Sequence, residues 1–218
     1  FGDYWKAHLS GNMITTIFFD IGGVLLNIHP ERTFQYLSDC INTEPDDIKN
    51  NFPWDAHNDY EKGRLTNKEW FIAFKDSFPQ PCCLKESDFW HAWQLLLGEE
   101  KRTVQLLKTL SDTYSTWLLS NTNPKHIQDE IEKRYLFPQF IDGAVYSFKV
   151  GYRKPEESIY RIAAYSANVL PENCIFIDDR YENVQAAIRL GFTGIHFTSY
   201  EQLEMDLMQH NLKGTDPR

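Results

Sequence analysis

Basic residues are scarce in this 218-residue chain, where 22 lysines and arginines stand against 31 aspartates and glutamates and give a net charge of −9 at pH 7. No run of Lys and Arg offers the local basic stripe that a duplex-binding protein needs, so the sequence predicts no nucleic-acid partner. Anionic substrates are still compatible with this charge, because a bound divalent cation inverts the local field.

Cysteines and long apolar runs are scarce as well. No apolar run approaches the roughly 18 residues of a membrane span, so we expect no membrane partner. The first twelve residues lack the apolar region and cleavage pattern of a signal peptide, and we interpret residues 1–12 as an extension or remnant before Met13. The four cysteines show no zinc-binding spacing and predict reduced, structural thiols in a cytoplasmic protein: Cys40, Cys82, Cys83 and Cys174.

Four segments combine an apolar strand pattern with polar residues at its carboxyl end. They are residues 15–27 (TTIFFDIGGVLLN), 115–124, 173–183 and 193–199, and helical patterns at 124–135, 155–168 and 182–190 separate the later ones. Strands that alternate with helices of this length predict parallel βαβ units and a doubly wound, Rossmann-like α/β sheet. In such a sheet the reactive crevice lies at the carboxyl ends of the strands.

Residues 29–98 have a different pattern, with no convincing strand and with helical patterns at 31–42, 44–51, 67–78 and 85–97. The region holds four of the six tryptophans, which we interpret as the apolar core of a helical unit rather than as a sugar platform. We therefore predict a small all-helical cap at 29–98, inserted after the first strand of an α/β core formed by 13–28 and 99–218.

The first strand ends in a single carboxylate, Asp20, before a turn through Gly22 and Gly23. A carboxylate at the end of a buried strand can attack phosphorus, and glycines let the backbone approach a phosphoryl group. A strand-end aspartate that only caps a turn is the simpler alternative. The second carboxylate that often follows two residues later is missing, because Gly22 occupies its position.

Ser120, Asn121 and Lys154 are candidate phosphate ligands. Ser120 and Asn121 directly follow a strand and can donate hydrogen bonds to phosphate oxygens, although SNTNP is also good helix-capping sequence. Lys154 precedes Pro155, so we expect it at the start of a helix, with its ammonium able to reach the crevice. A solvated surface lysine is the alternative.

Asp178 and Asp179 end the strand pattern CIFI and are the candidate metal ligands. Two adjacent carboxylates at a strand terminus, facing Asp20 across the sheet edge, form a hard-oxygen site of the kind that Mg²⁺ prefers. Helix capping before RYENVQAAIRLG is the alternative. Three separate segments thus bring polar groups to one edge of the predicted sheet.

Four motifs in this order make the chain similar to a known family. FFDIGGVL, LLSNTN, KVGYRKPEESIY and IFIDDRYENVQAA resemble the signatures of the haloacid dehalogenase (HAD) superfamily of hydrolases, over residues 13–209 and with a small helical C1-type cap inserted after the first. The resemblance implies that Asp20 is the nucleophile. It also implies that Ser120 and Lys154 hold the phosphate, with help from Asn121 and from the backbone of Gly22.

The same resemblance implies a magnesium site. Its ligands would be Asp20, the backbone carbonyl of Gly22, Asp179, and Asp178 either directly or through water. The stretch YEKGRLTNKEWF, residues 60–71, resembles a recurrent part of the cap in this family, which makes Glu61 and Arg64 candidate substrate contacts.

Most phosphatases of this superfamily carry an aspartate two residues after the nucleophile, which protonates the leaving oxygen and then activates water. Gly22 can do neither, and loss of a general acid–base group costs about 10²–10⁴-fold in rate. We therefore expect a leaving group that needs little protonation, such as the anomeric oxygen of a sugar 1-phosphate. The motif set also resembles a bacterial branch containing α-D-glucose-1-phosphate phosphatases, which likewise place glycine here.

The sequence thus predicts a Mg²⁺-dependent phosphatase that hydrolyses a small phosphate ester through an aspartyl-phosphate on Asp20. A catalytically idle binding domain is one alternative, supported only by Gly22. A 2-haloacid dehalogenase is another, although its metal-free attack on carbon gains nothing from Asp178 and Asp179.

His29 and His57 are possible side chains of the cleft, for which a structural role is the simpler interpretation. The sequence does not predict the oligomeric state.

Overall fold

A computed structural model describes residues 13–210 and 212, so the predicted extension at 1–12 lies outside the described residues. The strands in chain order are β1 (Thr16–Phe19), β2 (Leu26–Ile28), β3 (Leu97–Glu100), β4 (Ser115–Ser120), β5 (Gly143–Tyr146), β6 (Cys174–Asp178) and β7 (Thr193–His196). The helices are α1 (Pro30–Ile41), α2 (Pro45–Asn50), α3 (Trp54–Glu61), α4 (Asn67–Asp76), α5 (Glu86–Gln94), α6 (Thr103–Ser111), α7 (Glu132–Arg134), α8 (Ser147–Val150), α9 (Glu157–Ser166), α10 (Tyr181–Arg189) and α11 (Tyr200–Gln209). No helix among the described residues has the length and apolarity needed to cross a membrane.

Five of the strands form one parallel sheet in the order β5-β4-β1-β6-β7. In the central strand, Ile17 lies opposite Thr116 of β4 and Ile175 of β6. Because successive strand residues point to opposite faces, Ile17 and Phe19 join the apolar cluster on one face while Phe18 joins the cluster on the other. Strands buried on both faces are typical of parallel sheets covered by helices. The predicted doubly wound α/β fold is confirmed.

The strand order explains where the polar strand ends meet. β1 lies in the middle, with β4 and β5 on one side and β6 and β7 on the other, so the strand order reverses at β1. Asp20 follows β1, Ser120 ends β4 and Asp178 ends β6. Because the strands are parallel, these three residues lie at the same edge of the sheet, where open α/β sheets bind their ligands.

Helices α1–α5 have an apolar core of their own. The ring of Trp70 is fully buried at its centre, with the ring centroids of Tyr60, Phe74, Phe89 and Trp93 at 5.5–6.0 Å. Truncation of such a side chain typically costs about 3–5 kcal/mol. The core interpretation of the tryptophans therefore applies to Trp70 and its neighbours.

The helical region differs from the prediction in two places. Helix α3 lies between the helices predicted at 44–51 and 67–78, where no helix was predicted, because it is a short helix behind Pro53 with few apolar positions. The helix predicted at 85–97 ends at Gln94, because Leu97 pairs with Ile28 in an antiparallel ribbon formed by β2 and β3. Strand β3 begins at Leu97, inside the region that was predicted to contain no strand. The cap boundaries at 29 and 98 stay a prediction.

Two core helices differ from the prediction in detail. The helix predicted at 124–135 is present over 124–134 and contains a π-helical turn, His126–Ile131. Its first turn is capped by the side chain of Asn123, whose Oδ1 accepts from the His126 N–H at 3.0 Å. Helix α9 begins at Glu157, three residues after Lys154. Lys154 therefore lies in the loop before the helix rather than in its first turn.

Helix α3 is joined to the loop that carries Lys154. The Arg153 Nη1 donates to the Asn58 Oδ1 at 2.7 Å. Just beyond α3, Gly63 has a φ of +68°, and a Cβ there would lie 2.2 Å from the carbonyl oxygen of Phe148. Only glycine permits this close backbone approach. The cap helix is thus fixed over the carboxyl edge of the sheet.

Candidate active site

Asp20 lies where β1 leaves the sheet. Its backbone N–H donates to the carbonyl of Ile177 at 2.9 Å, which continues the pairing with β6 by one residue. Its Oδ1 accepts a hydrogen bond from the Ile21 N–H at 2.8 Å. The residue is only 8 % exposed. These contacts hold one buried carboxylate at the carboxyl edge of the sheet, next to the end of β6.

Lys154 is buried beside Asp20 and is not a surface lysine. Its Nζ donates to the Leu119 carbonyl at 2.8 Å and to Asp178 Oδ2 at 2.6 Å, and it lies 2.8 Å from Asp20 Oδ1. Hydrogen bonds to two oxygens and an ion pair to a third thus surround the ammonium. Burial opposes the charge, but the two carboxylates outweigh it and raise the pKa of Lys154. The side chain is therefore a fixed cation.

Asn121 holds the backbone of Lys154 in place. The Lys154 N–H donates to Asn121 Oδ1 at 2.7 Å, and the Asn121 Nδ2 donates to the Lys154 carbonyl at 2.9 Å. The sequence predicts a phosphate ligand here, and Asn121 does line the cleft above Asp20. Its hydrogen bonds show a different task, which is to position the lysine.

Asp178 is fully buried, and both of its oxygens have partners. Oδ1 accepts from the Arg180 N–H at 2.8 Å, and the Asn183 Nδ2 lies 3.0 and 3.1 Å from the two oxygens. The sequence analysis does not single out Asn183, whose only signal is its place in the first turn of α10, five residues after Asp178. These contacts, with the bond from Lys154, fix the orientation of this carboxylate.

The two turn glycines are constrained differently. A Cβ on Gly23, whose φ is +78°, would lie 2.3 Å from Asp179 Oδ2, so the carboxylate of Asp179 occupies the space over this backbone. A Cβ on Gly22 would meet only the flexible side chain of Ile28, at 3.2 and 3.3 Å, and Gly22 has no positive φ. Gly23 is therefore required by the fold, whereas Gly22 is not required by its backbone.

Asp20, Asp178 and Asp179 form an acidic cluster. One oxygen from each carboxylate lies within 4.8 Å of the others. Burial is the largest cause that raises the pKa of Asp20 and of Asp179, and the neighbouring carboxylates add to it while Lys154 opposes it. A divalent cation relieves such crowding of like charges, and oxygen donors are the ligands that Mg²⁺ prefers. The donor set therefore fits a magnesium ion.

A cleft of about 500 Å³ opens over these groups. Asp20, Lys154 and Asp179 line its base, and Asp178 is buried directly behind Lys154. We call these four side chains the floor. Four side chains of α3 at positions i, i+3, i+4 and i+7 share one helix face and line the opposite wall. With the neighbouring arginine of the core they form what we call the roof: Trp54, His57, Asn58, Glu61 and Arg153.

The roof holds charged and neutral groups in contact. Arg153 Nη2 lies 2.8 Å from Glu61 Oε2, and His57 Nε2 lies 3.8 Å from Glu61 Oε1. Burial raises the pKa of Glu61, with Arg153 opposing. Burial and the charge of Arg153 lower the pKa of His57 to about 4, so its ring is neutral at neutral pH. His57 was considered only as a possible side chain of the cleft, and Asn58 and Arg153 were not predicted as site residues. For the two residues of α3, the signal was their helical spacing.

Four sequence candidates lie outside the lining of the cleft. One is Asp178, which is buried behind Lys154. Ser120 is 3 % exposed at the end of β4, and its hydroxyl is 3.5 Å from the Asn121 carbonyl. His29 lies against Glu31, with its Nδ1 2.9 Å from the carboxylate, and so does not supply a base in the cleft. The fourth is Arg64.

Arg64 faces solvent, whereas Glu61 lines the cleft as predicted for a substrate contact. The Arg64 Nη1 pairs with Asp59 Oδ1 at 2.8 Å, and both side chains are about half exposed. The left-handed turn at Gly63 causes this, because it directs the chain away from the cleft as soon as α3 has ended. Arg64 therefore does not line the cleft in this structure, and its substrate contact stays a prediction.

The chain belongs to the haloacid dehalogenase-like hydrolase family, whose model matches residues 14–191. It is 25 % identical over 197 residues to a D-ribitol-5-phosphate phosphatase of Bacteroides thetaiotaomicron, covering 83 % of this chain and 90 % of the relative. It is also 25 % identical over 191 residues to a sesquiterpene phosphatase of Aspergillus oryzae, covering 88 % and 93 % of the two chains.

Solved structures show the same fold. A HAD-family enzyme from Bacteroides thetaiotaomicron, crystallised with magnesium and inorganic phosphate, superimposes with a TM-score of 0.76 at 24 % identity and covers 87 % of this chain and 98 % of its own. The resemblance to the HAD superfamily and the predicted enzymatic class, a HAD-like hydrolase, are thereby confirmed.

Proposed function

We propose that this hydrolase is a Mg²⁺-dependent phosphatase that acts on a small phosphorylated metabolite, a sugar phosphate such as a sugar 1-phosphate, through an aspartyl-phosphate on Asp20. The supporting observation is the floor itself, where a buried carboxylate lies 2.8 Å from a fixed ammonium within a carboxylate cluster that fits a divalent cation. Two relatives are phosphatases by name, which supports chemistry at phosphorus.

The proposed reaction has two displacements at phosphorus. An oxygen of Asp20 forms a bond to phosphorus while the ester P–O bond breaks, and the leaving oxygen keeps the electron pair. The leaving oxygen takes a proton from solvent, because Gly22 supplies none. Water then attacks the same phosphorus and releases a proton to solvent, the bond to Asp20 breaks, and inorganic phosphate leaves. Lys154 and the backbone at Gly22 would hold the non-bridging oxygens, as would Ser120 and Asn121 after small movements. Mg²⁺ bound by Asp20, Asp179, the Gly22 carbonyl and Asp178 would neutralise phosphate charge.

Gly22 is the reason for proposing an activated leaving group. No carboxylate stands two residues after Asp20 to protonate the departing oxygen. Positioning and electrostatic stabilisation dominate phosphoryl transfer, and the floor supplies both. The anomeric oxygen of a sugar 1-phosphate is more acidic than an ordinary alcohol, so it departs with less help. The α-D-glucose-1-phosphate phosphatase branch is thus the proposed affiliation.

The floor also weighs against the two alternatives. A 2-haloacid dehalogenase attacks carbon and gains nothing from three carboxylates whose oxygens lie within 4.8 Å of each other. An idle binding domain has no need of a lysine held by three oxygens against a carboxylate. The missing group at Gly22 therefore indicates a restricted substrate range rather than an inactive site.

The direct test is phosphate release by the Asp20→Asn variant. We expect a loss of at least about 10³-fold with sugar 1-phosphates, because the amide cannot act as nucleophile. Asp112→Asn, an exposed position at the end of α6, is the matched control and should keep full activity. EDTA should abolish turnover and added Mg²⁺ should restore it. Undiminished turnover in Asp20→Asn, or turnover unaffected by EDTA, would contradict the proposal.

A further inference from the structure

Buried polar atoms without hydrogen-bond partners are concentrated at the roof. Seven such side-chain atoms occur among the described residues, and three of them belong to residues that line the cleft: His57 Nδ1, Glu61 Oε2 and Arg153 Nε. The 2.8 Å contact of Glu61 Oε2 with Arg153 Nη2 is an ion pair without hydrogen-bond geometry. Native proteins leave few buried polar groups unpaired, and those that remain call for a ligand or water.

We infer, resting on the proposed phosphatase function, that the roof is a leaving-group subsite for a carbon skeleton rich in hydroxyl groups, that is, a sugar or a polyol. His57, Asn58 and Glu61 hydrogen-bond its hydroxyls. Trp54 covers its C–H face. An apolar leaving group such as a terpenoid is excluded as the preferred substrate, because it would leave these polar groups desolvated and unpaired.

The chemistry of the roof matches hydroxyl groups, which both donate and accept. A neutral imidazole has one donor and one acceptor nitrogen, and His57 is held neutral by burial and by Arg153. The carboxylate of Glu61 accepts only, and the free Nδ2 of Asn58 donates while its Oδ1 is engaged by Arg153. Together these groups offer both hydrogen-bond donors and hydrogen-bond acceptors along one face of α3.

Trp54 differs from the tryptophans of the cap core. It is 57 % exposed, although its ring packs against Phe52 with centroids 4.5 Å apart, and it lines the cleft beside His57. The fully buried Trp70 lies at the centre of the cap core. An exposed indole face next to hydrogen-bonding groups suits the apolar face of a sugar ring or polyol chain. The earlier interpretation of the tryptophans as core therefore does not extend to Trp54.

The test measures binding in the Asp20→Asn enzyme with Mg²⁺ present, so that no turnover occurs. Calorimetry compares glucose 1-phosphate with cyclohexyl phosphate, which share a six-membered ring and a phosphate but differ in hydroxyls. Ribitol 5-phosphate and pentyl phosphate form a second pair. We expect the hydroxylated member of at least one pair to bind at least about tenfold more tightly. Equal dissociation constants within both pairs would overturn the subsite.

His57→Phe should reduce that preference by about three- to tenfold, the usual effect of one hydrogen bond, while leaving the affinity for the hydroxyl-free ligands nearly unchanged. His91→Phe is the matched control, because His91 packs against Tyr36 and is not among the residues that line the cleft. Asn58→Leu provides a second variant should His57→Phe fail to fold. An unchanged preference in a folded roof variant would overturn the inference.

The two proposals can fail separately. Wild-type enzyme that hydrolyses p-nitrophenyl phosphate but binds both members of each pair equally would retain the phosphatase and remove the subsite. A clear preference for the hydroxylated ligands in an enzyme that releases phosphate from no ester would retain the subsite and remove the proposed reaction.

Discussion

The floor and the roof of the cleft treat buried polar groups in opposite ways. On the floor, Lys154 has three oxygen partners and Asp178 has partners on both oxygens. On the roof, His57 and Arg153 each bury a nitrogen without a partner. Networks that are fully satisfied are rigid, whereas unpaired buried groups are costly until a ligand pairs with them. Under the proposed function, the floor would hold the invariant group, the phosphate, and the roof would contact the variable part of a substrate.

The buried histidines His57 and His126 show the same difference between unpartnered and partnered polar groups. Burial lowers the pKa of both His57 and His126 to about 4. His126 Nε2 donates to the Trp93 carbonyl at 3.0 Å, and its Nδ1 accepts from Asn123 at 3.1 Å, so both nitrogens are used. His57 has no such bonds. The partnered ring stabilises the contact between cap and core, and the unpartnered ring is available to a ligand.

The largest loss of stability is expected when the buried ammonium of the floor is removed. Lys154→Met should lower the free energy of unfolding by about 3–5 kcal/mol and remove activity, because it leaves the carboxylates of Asp20 and Asp178 buried and unpaired. Arg153→Met on the roof should cost only about 1–2 kcal/mol, since Arg153 and Glu61 are partly exposed to the cleft. Urea denaturation of both variants measures the difference.

The exposed Lys149 is the control for this comparison, and Lys149→Met should change stability by less than about 0.5 kcal/mol. Equal losses of unfolding free energy in Lys154→Met and Arg153→Met would show that the floor and the roof do not differ in how strongly they stabilise their charged groups. Measurements in the presence and absence of Mg²⁺ separate the loss of the ion pair from any effect on metal binding.

The next effect concerns pH and the partnered histidine. Unfolded His126 titrates near 6.5 and the folded ring near 4, so the unfolded state binds more protons between these values and stability falls as the pH drops through them. The full loss is about 3 kcal/mol, of which about 2 kcal/mol is reached by pH 5. Urea titrations at pH 7.5 and 5 should show a smaller decline for His126→Gln than for the wild type. The exposed His210→Gln should decline as the wild type does, and an identical decline in all three proteins would refute the assignment.

The smallest effect is expected at Gly22, where the acid–base carboxylate is missing. Gly22→Asp should raise turnover of glucose 6-phosphate by about tenfold and that of glucose 1-phosphate by much less, because only the poor leaving group needs a proton donor. The backbone at Gly22 accepts a Cβ if Ile28 moves slightly. Gly22→Asn has the same size without the acid and is the control. A similar gain in both variants, or with both substrates, would show that protonation does not limit the reaction.

Three residues of the floor could be predicted from sequence because each lies at the end of a strand, and parallel strands bring their carboxyl ends together. Asp20, Asp178 and Asp179 needed only this rule. Lys154 was predicted at a helix start but lies in a loop held by Asn121, because reciprocal amide bonds between distant segments leave no local pattern.

The roof was largely invisible in the sequence. Helix α3 has eight residues and little apolar periodicity, so no apolar pattern predicted the helix or the polar residues on the side that faces the cleft. Arg153 looked like a surface cation because its partners Glu61 and Asn58 are more than 90 residues away in the chain. Arg64 lies outside the cleft for a local reason, because the turn at Gly63 follows the end of α3 and directs the chain away.

Arg153 and Lys154 are neighbours in the chain, yet the side chain of Arg153 reaches the cap and that of Lys154 reaches the sheet edge, from Cα atoms about 3.8 Å apart. A displacement of α3 away from the sheet therefore pulls on the same peptide unit that carries the buried ammonium. The position of the cap and the position of the cation beside Asp20 are mechanically linked.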